Sequence, residues 1–257
     1  MASSPTVAEL VAPFRADPAG SGVFSDFDGT LAGIVDDPSA AVPHEGVVDL
    51  LGRLARHYGR VGVVSGRPAA FLLAHLGGNG LYLSGLYGLE SVSEDGEVGV
   101  LPEAERWRPV VEEVAGRAES ELGPGVTVER KGLSVTVHYR THAARQDAVG
   151  AWAGREAEAT GLIADAARMS YELRPPVRRD KGDVLTEAGT GRRQVCFLGD
   201  DRGDLSAFDA LDRLATAGAW VVRVAVTSPE APEELLARAD LVVDGPEGSL
   251  SFLGALL

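Results

Sequence analysis

One cysteine is all the chain carries, so no internal disulfide can form and nothing demands an oxidising compartment. Cys196 itself sits in an apolar run and reads as inert core. Positive charge is also scarce. Against 38 acidic residues stand 24 lysines and arginines, a formal net charge of −14, which argues against nucleic acid as a partner. No apolar run approaches the length of a membrane span. There is no internal repeat or low-complexity tract, and Met1-Ala2-Ser3-Ser4-Pro5 lacks the basic and apolar regions of a signal peptide. These absences predict a cytoplasmic protein with no membrane partner. What is present is ordinary globular material, 45% hydrophobic and 24% charged, and 257 residues suffice for one large or two modest domains.

The acidity is uneven. Ala104 to Arg174 holds 11 acidic and 10 basic residues, whereas the rest of the chain holds 27 and 14. A near-neutral insert in an acidic body points to a separate domain, and the periodicity agrees. The first and last thirds alternate strand and helix. Apolar residues recur at helical spacing between His44 and Tyr58 and in Ala69–Leu76. Apolar runs at Val23-Phe24, Val61–Val64, Leu81–Leu83, Val195–Leu198, Trp220–Val226 and Leu241–Val243 read as strands. Helices are also expected from Lys181 and around Leu205–Leu214. This alternation predicts an α/β fold with a doubly wound parallel sheet. The middle differs: a helix over Trp107–Leu122, strands at Val126–Glu129 and Ser134–Tyr139, a helix over Ala143–Thr160 and a strand at Met169–Leu173. The expected layout is a core from 1–103 and 176–257, with an α+β domain inserted at 104–175.

Four strand or helix ends carry chemistry. The run Val23-Phe24 ends in Asp26-Phe27-Asp28-Gly29-Thr30-Leu31, with two carboxylates two residues apart and a glycine that lets the chain turn. Open parallel sheets hold ligands at the carboxyl ends of their strands. Carboxylates so close repel unless a cation or a shared proton relieves them, and Mg²⁺ with oxygen ligands is the usual partner beside phosphate. The plain alternative is a solvated turn. Ser65-Gly66-Arg67 ends the run at Val61–Val64; Ser65 is placed to hold a phosphoryl oxygen or to cap the next helix. Lys181 opens a helix after Arg178-Arg179-Asp180 and is either a neutralising ammonium or a solvated lysine. Gly199-Asp200-Asp201-Arg202-Gly203-Asp204 follows Val195–Leu198 and can complete an octahedral metal site with Asp26 and the Asp28 carbonyl. His138 and His142 have a metal-like spacing of four, but they straddle a strand-to-helix junction and are expected to be structural. Arg178 and Arg179 are read equally as a phosphate-attracting pair or as a solvated loop.

Taken in order, the four stretches resemble the motifs of the haloacid dehalogenase superfamily. That resemblance implies a phosphoryl-transfer site with Asp26 as nucleophile, Asp28 as general acid and base, Ser65 and Lys181 on the phosphate, and a larger cap inserted between the second and third motifs. A narrower likeness lies inside them. DFDGTLAGIVDDP from Asp26 to Pro38, Ser65-Gly66-Arg67-Pro68, Gly85–Glu90, Glu172–Pro176 before Asp180-Lys181-Gly182, and Glu129–Ser134 followed by His138-Tyr139-Arg140 are similar to the trehalose-6-phosphate phosphatases. Membership would imply a phosphoric monoester hydrolase. Its metal would be Mg²⁺, on Asp26, Asp28 and Asp200 with Asp201 and Asp204 available. Its substrate contacts would be Ser65, Gly66, Arg67, Glu129, Lys131 and Glu172. Its partner would be a small-molecule sugar phosphate. Gly203, Leu205-Ser206 and Tyr87 depart from the family pattern. The departures leave the chemistry untouched and bear on the exact sugar phosphate, the runner-up being another disaccharide or an aminocyclitol phosphate. A sugar phosphomutase using the same Asp pair is a second class, and the intact Asp26, Asp28, Lys181 and Asp200 argue against a non-catalytic sugar-phosphate sensor.

Overall fold

The computed structural model describes residues 5–35, 40–78, 80–93, 95–167, 169–228 and 231–257. The Asp36–Pro38 end of the first motif's likeness, and Met1–Ser4, lie outside them. Two compact units form, one from Met1–Gly99 with Arg179–Leu257 and one from Val100–Arg178.

The first unit is built on a sheet of β1 (Ser21–Ser25), β2 (Arg60–Val64), β3 (Tyr82–Gly85), β4 (Glu90–Val92), β5 (Val98–Val100), β10 (Gln194–Gly199), β11 (Trp220–Thr227) and β12 (Leu241–Asp244). Their order is β12-β11-β10-β1-β2-β3-β4-β5. The pairs from β12 to β3 are parallel, and β4 turns back antiparallel on β3. Residues alternate between two apolar layers, as a period of two requires. Val23, Cys196 and Leu198 face α1 (Val7–Ala16), α2 (Val47–His57), α3 (Ala69–Leu76) and α10 (Gly245–Ala255), through Phe14, Leu51, Leu72 and Phe252. Phe24, Val195 and Phe197 face α7 (Lys181–Gly189), α8 (Leu205–Thr216) and α9 (Glu233–Arg238), through Leu185, Phe208 and Leu235. A strand buried on both faces reads as a continuous apolar run; β10 does so through Val195–Leu198, while β1 is buried throughout with only Val23-Phe24 between small residues. Each fully buried Phe or Leu contributes about 1.5–3 kcal/mol.

The second unit holds the short helix α4 (Pro102–Glu105), then α5 (Arg108–Glu121), β6 (Thr127–Arg130), β7 (Val135–His138), α6 (Gln146–Thr160), β8 (Ile163–Ala167) and β9 (Ser170–Arg174). Its strands form an antiparallel sheet in the order β6-β7-β9-β8. Val135, Val137 and Leu173 pack on Val111, Val114 and Trp152 of the two long helices. The sequence reading gave this unit three strands, and β8 corrects it. Ile163-Ala164-Asp165-Ala166-Ala167 has one β-branched residue, and its last three are exposed, so neither propensity nor alternation marks it. No helix among the described residues is long and apolar enough to cross a membrane.

Candidate active site and metal centre

Strand register builds the centre. Ser25 pairs with Leu198, and the Asp26 N–H donates to the Leu198 carbonyl at 2.8 Å, so Asp26 and Asp200 emerge from adjacent parallel strand ends. Lys181 arrives from α7. A capping box starts that helix: Asp180 accepts from the Asp183 N–H at 3.0 Å, and Asp183 from the Asp180 N–H at 3.2 Å. This fixes Lys181 in the first turn. Its ammonium is 2% exposed, not solvated, and lies 2.8 Å from Asp26 Oδ1 and 2.7 Å from Asp204 Oδ1.

Asp26, Asp200 and Asp204 each offer an oxygen within 4.8 Å of the others, and all three are buried. Asp204 Oδ2 accepts from the backbone N–H groups of Asp200 and Asp201 at 2.8 and 3.0 Å, so it ties the turn to Lys181. Asp201 is set apart: its side chain is 43% exposed and its Oδ1 accepts from the Asp204 N–H at 3.2 Å. Asp200 Oδ1 accepts from Thr30 at 3.1 Å, while its Oδ2 is buried with no hydrogen-bond partner among the described residues. Gly29 permits this approach. It has φ +74°, and a Cβ there would come within 2.0 Å of Asp200 Oδ2.

Charge does not balance here. Three buried carboxylates face one ammonium, leaving two negative charges when all are ionised. Burial therefore pushes Asp26 well above the usual carboxylate range; Lys181 pulls it back, and Asp204, Asp201 and Asp200 push it further up. Burial, with Asp204 beside it, raises Asp200 to about 7. Burial raises Asp204 to about 6 against the pull of Lys181. Burial alone would depress Lys181, but Asp204, Asp26 and Asp201 outweigh it and hold its pKa well above its ordinary value. The all-oxygen donor set, the unpartnered Oδ2 and the uncompensated double charge all fit a divalent cation.

Ser65 follows β2 and is buried. It does not cap α3, whose N-cap is Pro68; its Oγ accepts from the Arg67 N–H at 3.2 Å. Arg67 grips Asp28 with both arms of its fork, Nε to Oδ2 at 2.8 Å and Nη2 to Oδ1 at 2.6 Å, and lies over the Phe71 ring. The turn at 65–67 is fastened to 85–88: the Tyr87 N–H donates to the Ser65 carbonyl and the Leu86 N–H to the Arg67 carbonyl. Leu86 and Tyr87 hold left-handed backbone at φ 48° and 56°, an arrangement that side chains resist and that marks functional loops. A Cβ on Gly66 would strike the Tyr87 ring at 2.7 Å. Arg179 pairs with Glu187 at 2.5 Å.

In the second unit, Lys131 Nζ donates to Glu172 Oε1 at 3.4 Å and lies 4.0 Å from Glu129. Ser134 donates to the same Glu172 oxygen at 2.6 Å, and His138 Nε2 meets Glu129 Oε2 at 2.8 Å. His142 Nδ1 meets Thr141 Oγ1 at 3.1 Å, so the two histidines have different partners. The sequence reading missed Thr30, Ser134 and the Arg67–Asp28 pairing. Period-two placement of Ser134 with His138 beside the acidic strand ends was the available signal for Ser134.

The trehalose-phosphatase family model matches residues 24–240. Trehalose-phosphate phosphatase from Mycobacterium avium (strain 104) is 40% identical over 201 residues, which is 74% of this chain and 51% of that protein. The corresponding protein of Mycobacterium leprae (strain TN) is 36% identical over 214 residues, 78% of this chain and 50% of that one. The chain thus spans about half the length of these relatives. The C-terminal domain of C. albicans trehalose-6-phosphate phosphatase shares the fold, with a TM-score of 0.76 at 22% identity over 99% of this chain and 98% of that one. A haloacid dehalogenase-like hydrolase from Bacteroides thetaiotaomicron shares it at a TM-score of 0.63, 18% identity and coverage of 92% and 99%. A haloacid dehalogenase fold with a parallel sheet, a buried acidic centre at its strand ends and a family match over most of its length together show that this chain belongs to the trehalose-phosphatase family.

Proposed function

We propose that the chain hydrolyses trehalose 6-phosphate to trehalose and phosphate through an aspartyl phosphate on Asp26. The observation that carries this reading is the buried Asp26–Lys181–Asp204–Asp200 cluster at adjacent strand ends in a chain of this family. Asp26 attacks phosphorus, its Oδ–P bond forming as the bond from phosphorus to the sugar oxygen breaks. Asp28 protonates that leaving oxygen. Water then attacks the aspartyl phosphate, gives its proton to Asp28, and leaves Asp26 free and phosphate released. Ser65 and Lys181 bind phosphoryl oxygens. Arg67 exchanges the Asp28 carboxylate for the incoming phosphate dianion, and the freed Asp28 takes up a proton from solvent before it donates to the leaving oxygen; the proton later taken from the attacking water restores it.

Asp26, Asp200 and the Asp28 carbonyl are the proposed Mg²⁺ ligands, with Asp204 orienting Lys181 and the 200–201 turn. Bound there, Mg²⁺ supplies the positive charge that keeps Asp26 ionised and gathers charge on the phosphoryl oxygens. Glu129, Lys131 and Glu172 bond sugar hydroxyls remote from the reacting centre.

The test is phosphate release, with and without Mg²⁺, from trehalose 6-phosphate, sucrose 6-phosphate, glucose 6-phosphate and mannose 6-phosphate. Mg²⁺-dependent release with trehalose 6-phosphate preferred is expected. No release from it beside turnover of another disaccharide phosphate would reassign the substrate. A sugar bisphosphate intermediate would reassign the reaction to a phosphomutase.

A further inference from the structure

Resting on the sugar-phosphate reading above, we propose that Thr136 is a further sugar-binding residue, whose hydroxyl bonds one hydroxyl of a ligand held between Glu129 and Glu172. The strand register places these three side chains in one row: Glu129 pairs with Thr136, and Thr136 pairs with Glu172. The opposite face of the same strands carries Val128, Val137 and Leu173, which pack on α5 and α6. Row neighbours stand about 4.8 Å apart, so the two carboxylates flank Thr136 across roughly 10 Å.

The neighbouring polar side chains pair with one another. Glu172 takes Ser134 and Lys131, and Glu129 takes His138. Thr136 Oγ1 alone in the row is buried without a hydrogen-bond partner among the described residues, in a residue only 4% exposed. A valine would keep the branched shape that suits a strand, so the hydroxyl does nothing for the fold of the unit itself. Buried hydroxyls are ordinarily paired. Carboxylates only accept, whereas a threonine hydroxyl both donates and accepts. Glu129, Thr136 and Glu172 together therefore match neighbouring hydroxyls of one pyranose ring: the carboxylates take their protons, and Thr136 completes one bond in either direction.

The test compares Thr136→Val and Thr136→Ser with wild type in kcat/KM on trehalose 6-phosphate, in kcat/KM on p-nitrophenyl phosphate, and in Tm. Thr136→Val is expected to lose about tenfold or more on the sugar phosphate, to match wild type on the small ester, and to melt no lower than wild type. Thr136→Ser keeps the hydroxyl and is expected to stay within about threefold of wild type on both. A Thr136→Val enzyme equal to wild type on the sugar phosphate, or equally impaired on both esters, overturns the proposal. Where Thr136→Val does not fold, Thr136→Ala takes its place: loss on the sugar phosphate alone supports the proposal, and loss on both or neither overturns it. Wild type that ignores trehalose 6-phosphate but hydrolyses another disaccharide phosphate defeats the substrate assignment, and Thr136 is then judged on that substrate. Wild type that turns over no sugar phosphate overturns both.

Discussion

Replacing Asp200 by Asn should stabilise the cation-free protein at neutral pH, although it removes a proposed metal ligand. Asp200 is 1% exposed, and its pKa stands at about 7 against an ordinary 3.8, first because of burial and then because of Asp204. The native state therefore keeps a proton that the unfolded chain has already lost. Between those two values the folded form binds more protons, so its stability falls as pH rises. An interval of about three pH units corresponds to about 4 kcal/mol by pH 7.5, at about 1.36 kcal/mol per unit. Relaxation of neighbouring side chains and water reduces this, and half of it still moves Tm by roughly 4–8 °C in a chain of this size. Asn keeps an acceptor for Thr30 and carries no charge to desolvate. The measurement is thermal or urea unfolding of both proteins in chelator at pH 4.5 and 7.5, and in excess Mg²⁺ at pH 7.5. The variant should be the more stable at pH 7.5 by about 2–4 kcal/mol, and the gap should close at pH 4.5. Excess Mg²⁺ should stabilise wild type more than the variant by mass action. If the variant is the less stable by the same amount at both pH values, the excess-charge account of the cluster is wrong.

Asp26→Asn should abolish phosphate release with the circular dichroism spectrum intact, because an amide cannot form the acyl phosphate; substantial turnover by the folded variant would remove Asp26 as nucleophile. Asp28→Asn should slow formation or breakdown of the phosphoenzyme in rapid-quench assays, and unchanged kinetics would exclude it as acid and base. Gly29→Ala places a Cβ 2.0 Å from Asp200 Oδ2 at φ +74°, so it should cost roughly 1–3 kcal/mol of stability and raise the Mg²⁺ concentration needed for half activity. Alanine at Glu129, Lys131 or Glu172 should cut kcat/KM on trehalose 6-phosphate about tenfold or more and barely alter hydrolysis of p-nitrophenyl phosphate; equal loss on both substrates would refute the sugar-binding assignment.

Much of the fold was legible because burial on both faces leaves a plain mark. β2 and β10 carry apolar runs that end in small or acidic residues, β1 carries Val23-Phe24 just before Asp26, β11 is apolar but for Arg223, and α3 follows its pattern to the residue. What escaped lacks that mark. β8 is an alanine-rich edge strand, and β4 and β5 are three residues each. α10 begins Gly245-Pro246-Glu247-Gly248 and reads as a loop, yet it buries Phe252 and Leu253 against the sheet. Tertiary packing settles such segments where propensity does not. α1 also went unread, although Thr6 and Glu9 form a capping box at its start.

The site divides along a different line. Which residues stand at strand ends was readable from spacing; how each is used was not, because use depends on burial and on partners far away in the chain. Asp201 and Asp204 are the same residue type three positions apart. One side chain is 43% exposed and caps a turn, while the other is fully buried and bonded to Lys181. Arg67 and Asp28, 39 residues apart, meet through a two-pronged ion pair that no local pattern announces. The cluster makes the same point energetically. Burying three carboxylates around one ammonium opposes folding unless something else enters, and apolar residues would fill the same space at lower cost. An arrangement expected to cost stability without a cation, and to regain it with a dication, is one that ligand binding and catalysis call for. The threonine hydroxyl between Glu129 and Glu172 obeys the same logic on a smaller scale: a polar group that the fold does not use is where a ligand is to be sought.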